Sequence, residues 1–188
     1  MTRLRNLFCA TVVASLAAGF VCAQTIDEDG AEELDTLFSQ LALPEQTGWE
    51  QIEDRIKRLW SKSGSASADY LLKRGRDALE ASNYTEAVEH FTALTDHAPE
   101  FAEGWNGRAT AFYLMEEYGL AVEDVSRVLA LNPRHFEALS GLGLMLERME
   151  RHDAALAAFE EASRLHPHHE IINDAIERLK RRLGQSSL

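Results

Sequence analysis

The sequence predicts an all-α protein built as a stack of helix-turn-helix repeats, and three observations carry that prediction. Apolar residues recur at i, i+3, i+4 and i+7 from Leu34 onward, the spacing of one buried helix face. A set of seven positions returns every 34 residues in three copies without an insertion: Leu71, Gly75, Ala78, Ala87, Phe91, Leu94 and Pro99; Trp105, Ala109, Phe112, Ala121, Val125, Val128 and Pro133; Leu139, Gly143, Leu146, Ala155, Phe159, Ala162 and Pro167. Each proline falls just past the second apolar stripe of its unit, where a missing N–H and a fixed φ end a helix.

The bulk numbers agree with a folded chain. There are 188 residues, 45% hydrophobic and 27% charged, enough to bury a core. The formal net charge is −12, and without residues 1–23, which carry only Arg3 and Arg5, the rest holds 31 acids against 17 Lys and Arg, a net of −14. That surface repels phosphate backbones and anionic lipid, so neither nucleic acid nor a membrane surface is expected as a partner.

Residues 1–23 read as a secretory signal peptide: a basic start, an apolar run from Leu7 to Val21 and small residues before a cut after Ala23. The apolar run would span about 22 Å as a helix, short of a hydrocarbon core of about 30 Å. Stable membrane insertion is therefore not expected after cleavage, and a periplasmic or secreted location is. An uncleaved anchor and a lipoprotein signal at Cys22 are the alternatives; Val21 is larger than the residue that normally precedes a lipidated cysteine. Both cysteines, Cys9 and Cys22, lie in this segment, so the chain from Gln24 has no thiol for a disulfide, a nucleophile or a metal.

Residues 24–33 are acidic and aperiodic, an expected mobile tail. Over 34–67, Leu34, Leu37, Phe38 and Leu41 form one stripe, Trp49, Ile52, Ile56, Leu59 and Trp60 a second, and Pro44 and Gly48 separate them. This predicts a degenerate helical hairpin stacked on the first repeat as a cap, with Ser67 as the N-cap of the next helix. Repeats follow at 68–101, 102–135 and 136–169. In them, Gly75, Ala109 and Gly143, like Ala87, Ala121 and Ala155, are small because a partner helix passes close. Over 170–188, Ile171, Ile172, Ala175, Ile176 and Leu179 oppose Arg178, Lys180, Arg181 and Arg182, as in a capping helix with a frayed end.

The unit resembles the tetratricopeptide repeat, whose pattern is W-x2-L-G-x2-Y…A-x3-F…P. The resemblance rests on the positions given above together with Leu142, and it covers 68–169. Arg74 and Arg108 stand where leucine is usual, and Ala78 where an aromatic is common, departures expected to weaken local packing. The resemblance implies a right-handed superhelical stack in which the first helix of each repeat lines a concave groove for a partner peptide or helix. Rotating one residue from the packed stripe places Asp69, Leu72, Arg76 and Leu79, then Glu103, Asn106, Thr110 and Tyr113, then Glu137, Ser140, Leu144 and Glu147 on that inner face. Members that hold the C-terminal carboxylates of chaperones present Lys, Asn and Arg there. Here Arg76 and Asn106 alone match, so that clamp is incomplete.

Other motifs are weak. His166, His168 and His169 beside Pro167 are a possible metal site without a carboxylate or cysteine at ligand spacing. Gly141-x-Gly143 lies within a helix and lacks the strand a phosphate loop needs. No Ser/His/Asp set or catalytic carboxylate pair stands out, so the chain is expected to be no enzyme and to need no cofactor. The expected role is a protein-binding scaffold or adaptor in the bacterial cell envelope. The alternatives are an accessory or activating subunit of an envelope protease or cell-wall hydrolase, and metal binding through the His-rich turn.

Overall fold

A computed structural model describes residues 28–186, so the expected signal segment 1–23 lies outside the described residues. Among those residues there are nine helices and no strand: α1 (Glu28–Leu41), α2 (Trp49–Trp60), α3 (Ala66–Glu80), α4 (Tyr84–His97), α5 (Ala102–Leu114), α6 (Tyr118–Leu131), α7 (Phe136–Arg148), α8 (His152–Leu165) and α9 (Glu170–Ser186). Consecutive helices from α3 onward pack on one another, so the chain forms an all-α superhelical stack. Helices of 12 to 17 residues are marginal alone, and stacking supplies their stability.

The small residues do what their spacing implies, and one more joins them. A Cβ on Gly75 of α3 would lie 2.5 Å from the Phe91 ring of α4, and one on Gly143 would lie 2.7 Å from Phe159. Gly107 of α5 meets the same edge atoms of the Phe91 ring at still closer range. Phe91 thus packs tightly against glycines of successive repeats, one on α3 and one on α5. The turns within repeats also repeat: Ser82, Glu116 and Glu150 all adopt positive φ, at 60°, 63° and 59°. In each, the next residue's N–H returns to the helix, as Asn83 to the Ala78 carbonyl at 2.8 Å.

Several local expectations are corrected. The first helix starts at Glu28, so part of the 24–33 stretch is ordered helix. Ser65, not Ser67, caps α3 by accepting the Ala68 N–H. On α9, Ile172, Ala175, Ile176 and Leu179 are buried against the last repeat, but Ile171 is exposed. Arg108 does not weaken its surroundings. Its Nε and Nη2 both donate to Asp124 at 2.8 Å, Nη1 reaches Thr92 and Thr95, and the guanidinium lies 4.9 Å from the Trp105 ring centre.

The largest correction concerns the hairpin, which is not a cap stacked on α3. It lies across the edge where successive first helices begin. Phe38, Leu41, Ile56 and Trp60 join one apolar cluster with Phe136, Leu139, Leu165 and Ile172 of the last repeat and α9. Arg134 bonds Asp35 at 2.7 Å and covers the Phe38 ring at 4.6 Å. From Trp49 beside His168 to Ser61 beside Arg76, α2 runs back along the stack toward the first repeat, where the chain must enter α3.

Candidate functional site

The inner face is built by α3, α5 and α7, and α2 forms a wall along one side of it. A cavity of about 310 Å³ opens there, lined by Arg76 and Leu79 of α3, Asn106, Gly107 and Thr110 of α5, Glu137 of α7, the buried Glu103, and Lys57 and Ser61 from the hairpin side. Farther along, Tyr113, Leu144, Glu147, Arg148 and Arg178 line a second cavity of about 380 Å³, where Arg178 pairs with Glu147 at 2.7 Å.

The predicted residues divide accordingly. Arg76, Leu79, Asn106 and Thr110 meet in the first cavity, and Tyr113, Leu144 and Glu147 in the second. Ser140 is half-buried and lines neither. Asp69 is turned away, its carboxylate accepting from the Ser63 N–H and hydroxyl in the linker. Leu72 and Glu103, expected on the open surface, are only 3% and 5% exposed. Leu72 has been drawn into the core of the first repeat.

Glu103 holds the first cavity together. One carboxylate oxygen accepts from Arg76 Nη2 at 2.7 Å and the other faces His135 Nε2 at 3.0 Å. His135 Nδ1 accepts the Ala138 N–H and so caps α7, which leaves the proton on Nε2 to donate to Glu103. The Trp60 ring stacks on this imidazole at 4.3 Å. Burial pushes the Glu103 carboxyl up, but His135 and Arg76 outweigh it and hold it below the ordinary carboxylate range.

The hairpin's contributions escaped the sequence reading. Lys57 Nζ bridges Glu53 at 2.6 Å and Glu137 at 2.9 Å. Burial opposes the Lys57 charge, and the two carboxylates overcome it and raise the group above the usual lysine range. Every cation of the first cavity is therefore engaged: Arg76 with Glu103 and Ser61, Lys57 with two glutamates. The cavity offers paired charges and amide and hydroxyl groups. Tyr113 and Leu144 add an apolar station beyond it. Among the described residues, no cluster of three or more His, Asp or Glu has the geometry to hold a metal ion.

The repeat frame and the inner face together point to one family. The family model described as Tetratricopeptide repeat matches residues 72–125 and 115–170. The chain belongs to the tetratricopeptide repeat family. A TPR repeat-containing protein of Rhizobium etli is 30% identical over 156 residues, covering 81% of this chain and 76% of that one. The small glutamine-rich tetratricopeptide repeat-containing protein 2 of Mycosarcoma maydis is 25% identical over 122 residues, and the match spans only 35% of its length. Among solved structures, the first TPR of Spaghetti (RPAP3) bound to HSP90 peptide SRMEEVD is similar with a TM-score of 0.62 at 22% identity, over 64% of this chain and 95% of that chain. MamA is similar with a TM-score of 0.60 at 22% identity, over 71% of this chain and 84% of its own. These likenesses concern the fold.

Proposed function

We propose that this tetratricopeptide repeat protein is a non-catalytic adaptor that binds a segment of another protein along its inner face. The observation that carries the reading is the pair of cavities on one continuous face, one polar and one with Tyr113 and Leu144 as apolar anchors. The similar fold of the first TPR of Spaghetti (RPAP3), a structure with HSP90 peptide SRMEEVD bound, supports it. The partner segment differs from such a chaperone tail, because Arg76 is committed to Glu103 and no free cation set faces the cavity. The setting we propose is the bacterial cell envelope, supported by the signal-like character of residues 1–23.

The test is retention of a copurifying partner from envelope extract. Tyr113→Ala with Leu144→Ala is expected to release a partner that the unaltered chain holds, with the helical signal retained and the melting temperature lowered but still well above the assay temperature, because both side chains also pack partly against the core. Equal retention by both proteins moves the binding face elsewhere. N-terminal sequencing of exported protein checks the setting, with Gln24 as the expected first residue and an intact Met1 as the contrary result.

A further inference from the structure

The seam between the hairpin and the repeats is lined by histidines. Trp60 stacks on His135, Trp49 stacks on His168 with ring planes 4° apart, and His168 Nε2 donates to the Leu43 carbonyl at 3.0 Å. At the centre His166, fully buried in the turn between α8 and α9, donates through Nε2 to Glu53 of α2 at 3.1 Å. Its other ring nitrogen, Nδ1, is buried and meets no partner. Along the chain the hairpin is joined to the repeats through residues 61–65, where Gly64 has a φ of 75° and nothing within 4 Å of a Cβ placed there. Across the seam it is held by the apolar cluster around Phe38, Ile56 and Trp60 and by the Asp35–Arg134 and Lys57–Glu137 pairs.

We propose that the α1–α2 hairpin is a pH-operated flap, latched on the repeats by neutral His166 and loosened when that ring takes a second proton. The proton would go to Nδ1, where burial leaves it no acceptor. The surroundings decide the balance. Glu53 of α2 favours the charged ring, but it is already shared with Lys57; His168 and His169 oppose the charge from the same turn; the Trp49 ring of α2 and the Phe136 ring of α7 pack against His166 at 5.3 and 5.1 Å and exclude water. Burial comes first among these effects, and the His166 ring is held below the ordinary histidine range. In the undocked state the same ring meets water and returns to about 6.5. The undocked state therefore binds the proton more readily, so docking is complete above about pH 6.5 and weakens as pH falls below it. One such group limits the effect at pH 5.5 to about tenfold in the docking equilibrium.

The flap carries Lys57 and Ser61 out of the first cavity and uncovers Glu137. That consequence rests on the proposed binding role of the inner face; the flap itself does not, since it is read on the free protein.

Hydrogen exchange of the full chain without partner, corrected for the intrinsic effect of pH, tests it. Between pH 7.5 and 5.5 the α2 amides are expected to lose protection several-fold, up to the limit of about tenfold, while α5 to α8 keep theirs. His166→Gln retains a donor toward Glu53 and cannot titrate, so its α2 protection should stay level; His97→Gln, at an exposed site, should behave as the unaltered chain. If the first variant leaves the hairpin loose at both pH values, Glu53→Gln decides: it removes the charge favouring protonated His166 and should enlarge the acid loss. Equal α2 protection at both pH values, a parallel loss in α5 to α8, an unaltered response in His166→Gln, or a Glu53→Gln loss no larger than that of the parent overturns the flap.

Discussion

The carboxylate of Glu103 and the imidazole of His135 meet at 3.0 Å with both side chains buried, beneath an aromatic ring contributed by a helix far away in sequence. Position 103 lies in the first turn of α5 and position 135 caps α7, so this one bond ties the start of one repeat to the helix that opens the next, and the Trp60 ring covers it. Removing either partner leaves a buried group uncompensated. Glu103→Ala is expected to cost about 3–5 kcal/mol in denaturant unfolding, and Glu103→Gln distinctly less because an acceptor remains.

The same pair makes stability pH-dependent. Glu103 and Glu53 are both held below the ordinary carboxylate value near 4.5 in the folded chain, so the unfolded chain binds their protons more readily. Their contribution is present above pH 4.5 and is lost as pH falls through the folded values. Unfolding midpoints measured from pH 6 down to 3 should drop most steeply below pH 4.5, and Glu103→Gln should flatten the slope.

Arg108 and Asp124 replace an apolar contact with a bidentate ion pair that is largely shielded from water. Arg108→Leu restores the residue usual in such repeats, yet it strands a buried carboxylate and is expected to destabilise by about 3–5 kcal/mol. Pairing it with Asp124→Leu should recover most of that loss. A double-mutant cycle in guanidinium reads the coupling directly, and additive costs contradict it.

The Phe91 ring leaves no room for a methyl group at Gly75 or at Gly107. Gly75→Ala and Gly107→Ala should each cost about 1–3 kcal/mol by overpacking, and Phe91→Leu should relieve part of either penalty. Thermal melts of the single and paired variants check this, and independent effects would show that the ring can shift aside.

At the turn of the middle repeat, Glu116 holds a φ of 63°, which costs a residue with a Cβ about 1–2 kcal/mol. Glu116→Gly relieves that strain and gives back some chain entropy, so a net gain of about 0.5–1 kcal/mol in unfolding free energy is expected.

The repeat frame was legible because each 34-residue unit contacts mainly its neighbours, so Leu71, Trp105 and Leu139 carry the same local instruction three times. The inner face was legible in part: Arg76, Asn106, Thr110, Tyr113 and Leu144 follow from helical rotation alone. Leu72 and Glu103 broke that rule because the helices adjust to pack, and a buried carboxylate is tolerable once His135 and Arg76 meet it. Gly107 was invisible because only the middle repeat uses that position to admit a ring from the repeat before it.

By itself, then, the sequence determined an all-α repeat stack, its unit length, the small residues at the close approaches and a hairpin with one apolar face. Only the tertiary structure decided where that hairpin lies. An amphipathic stripe states that a face must be buried and not against what, and the first repeat and the row of inter-repeat turns both offered apolar surface. The choice was made by contacts between residues far apart in sequence: Trp60 on His135, Glu53 with His166, Asp35 with Arg134. Those contacts have no periodicity to announce them, because each is made once.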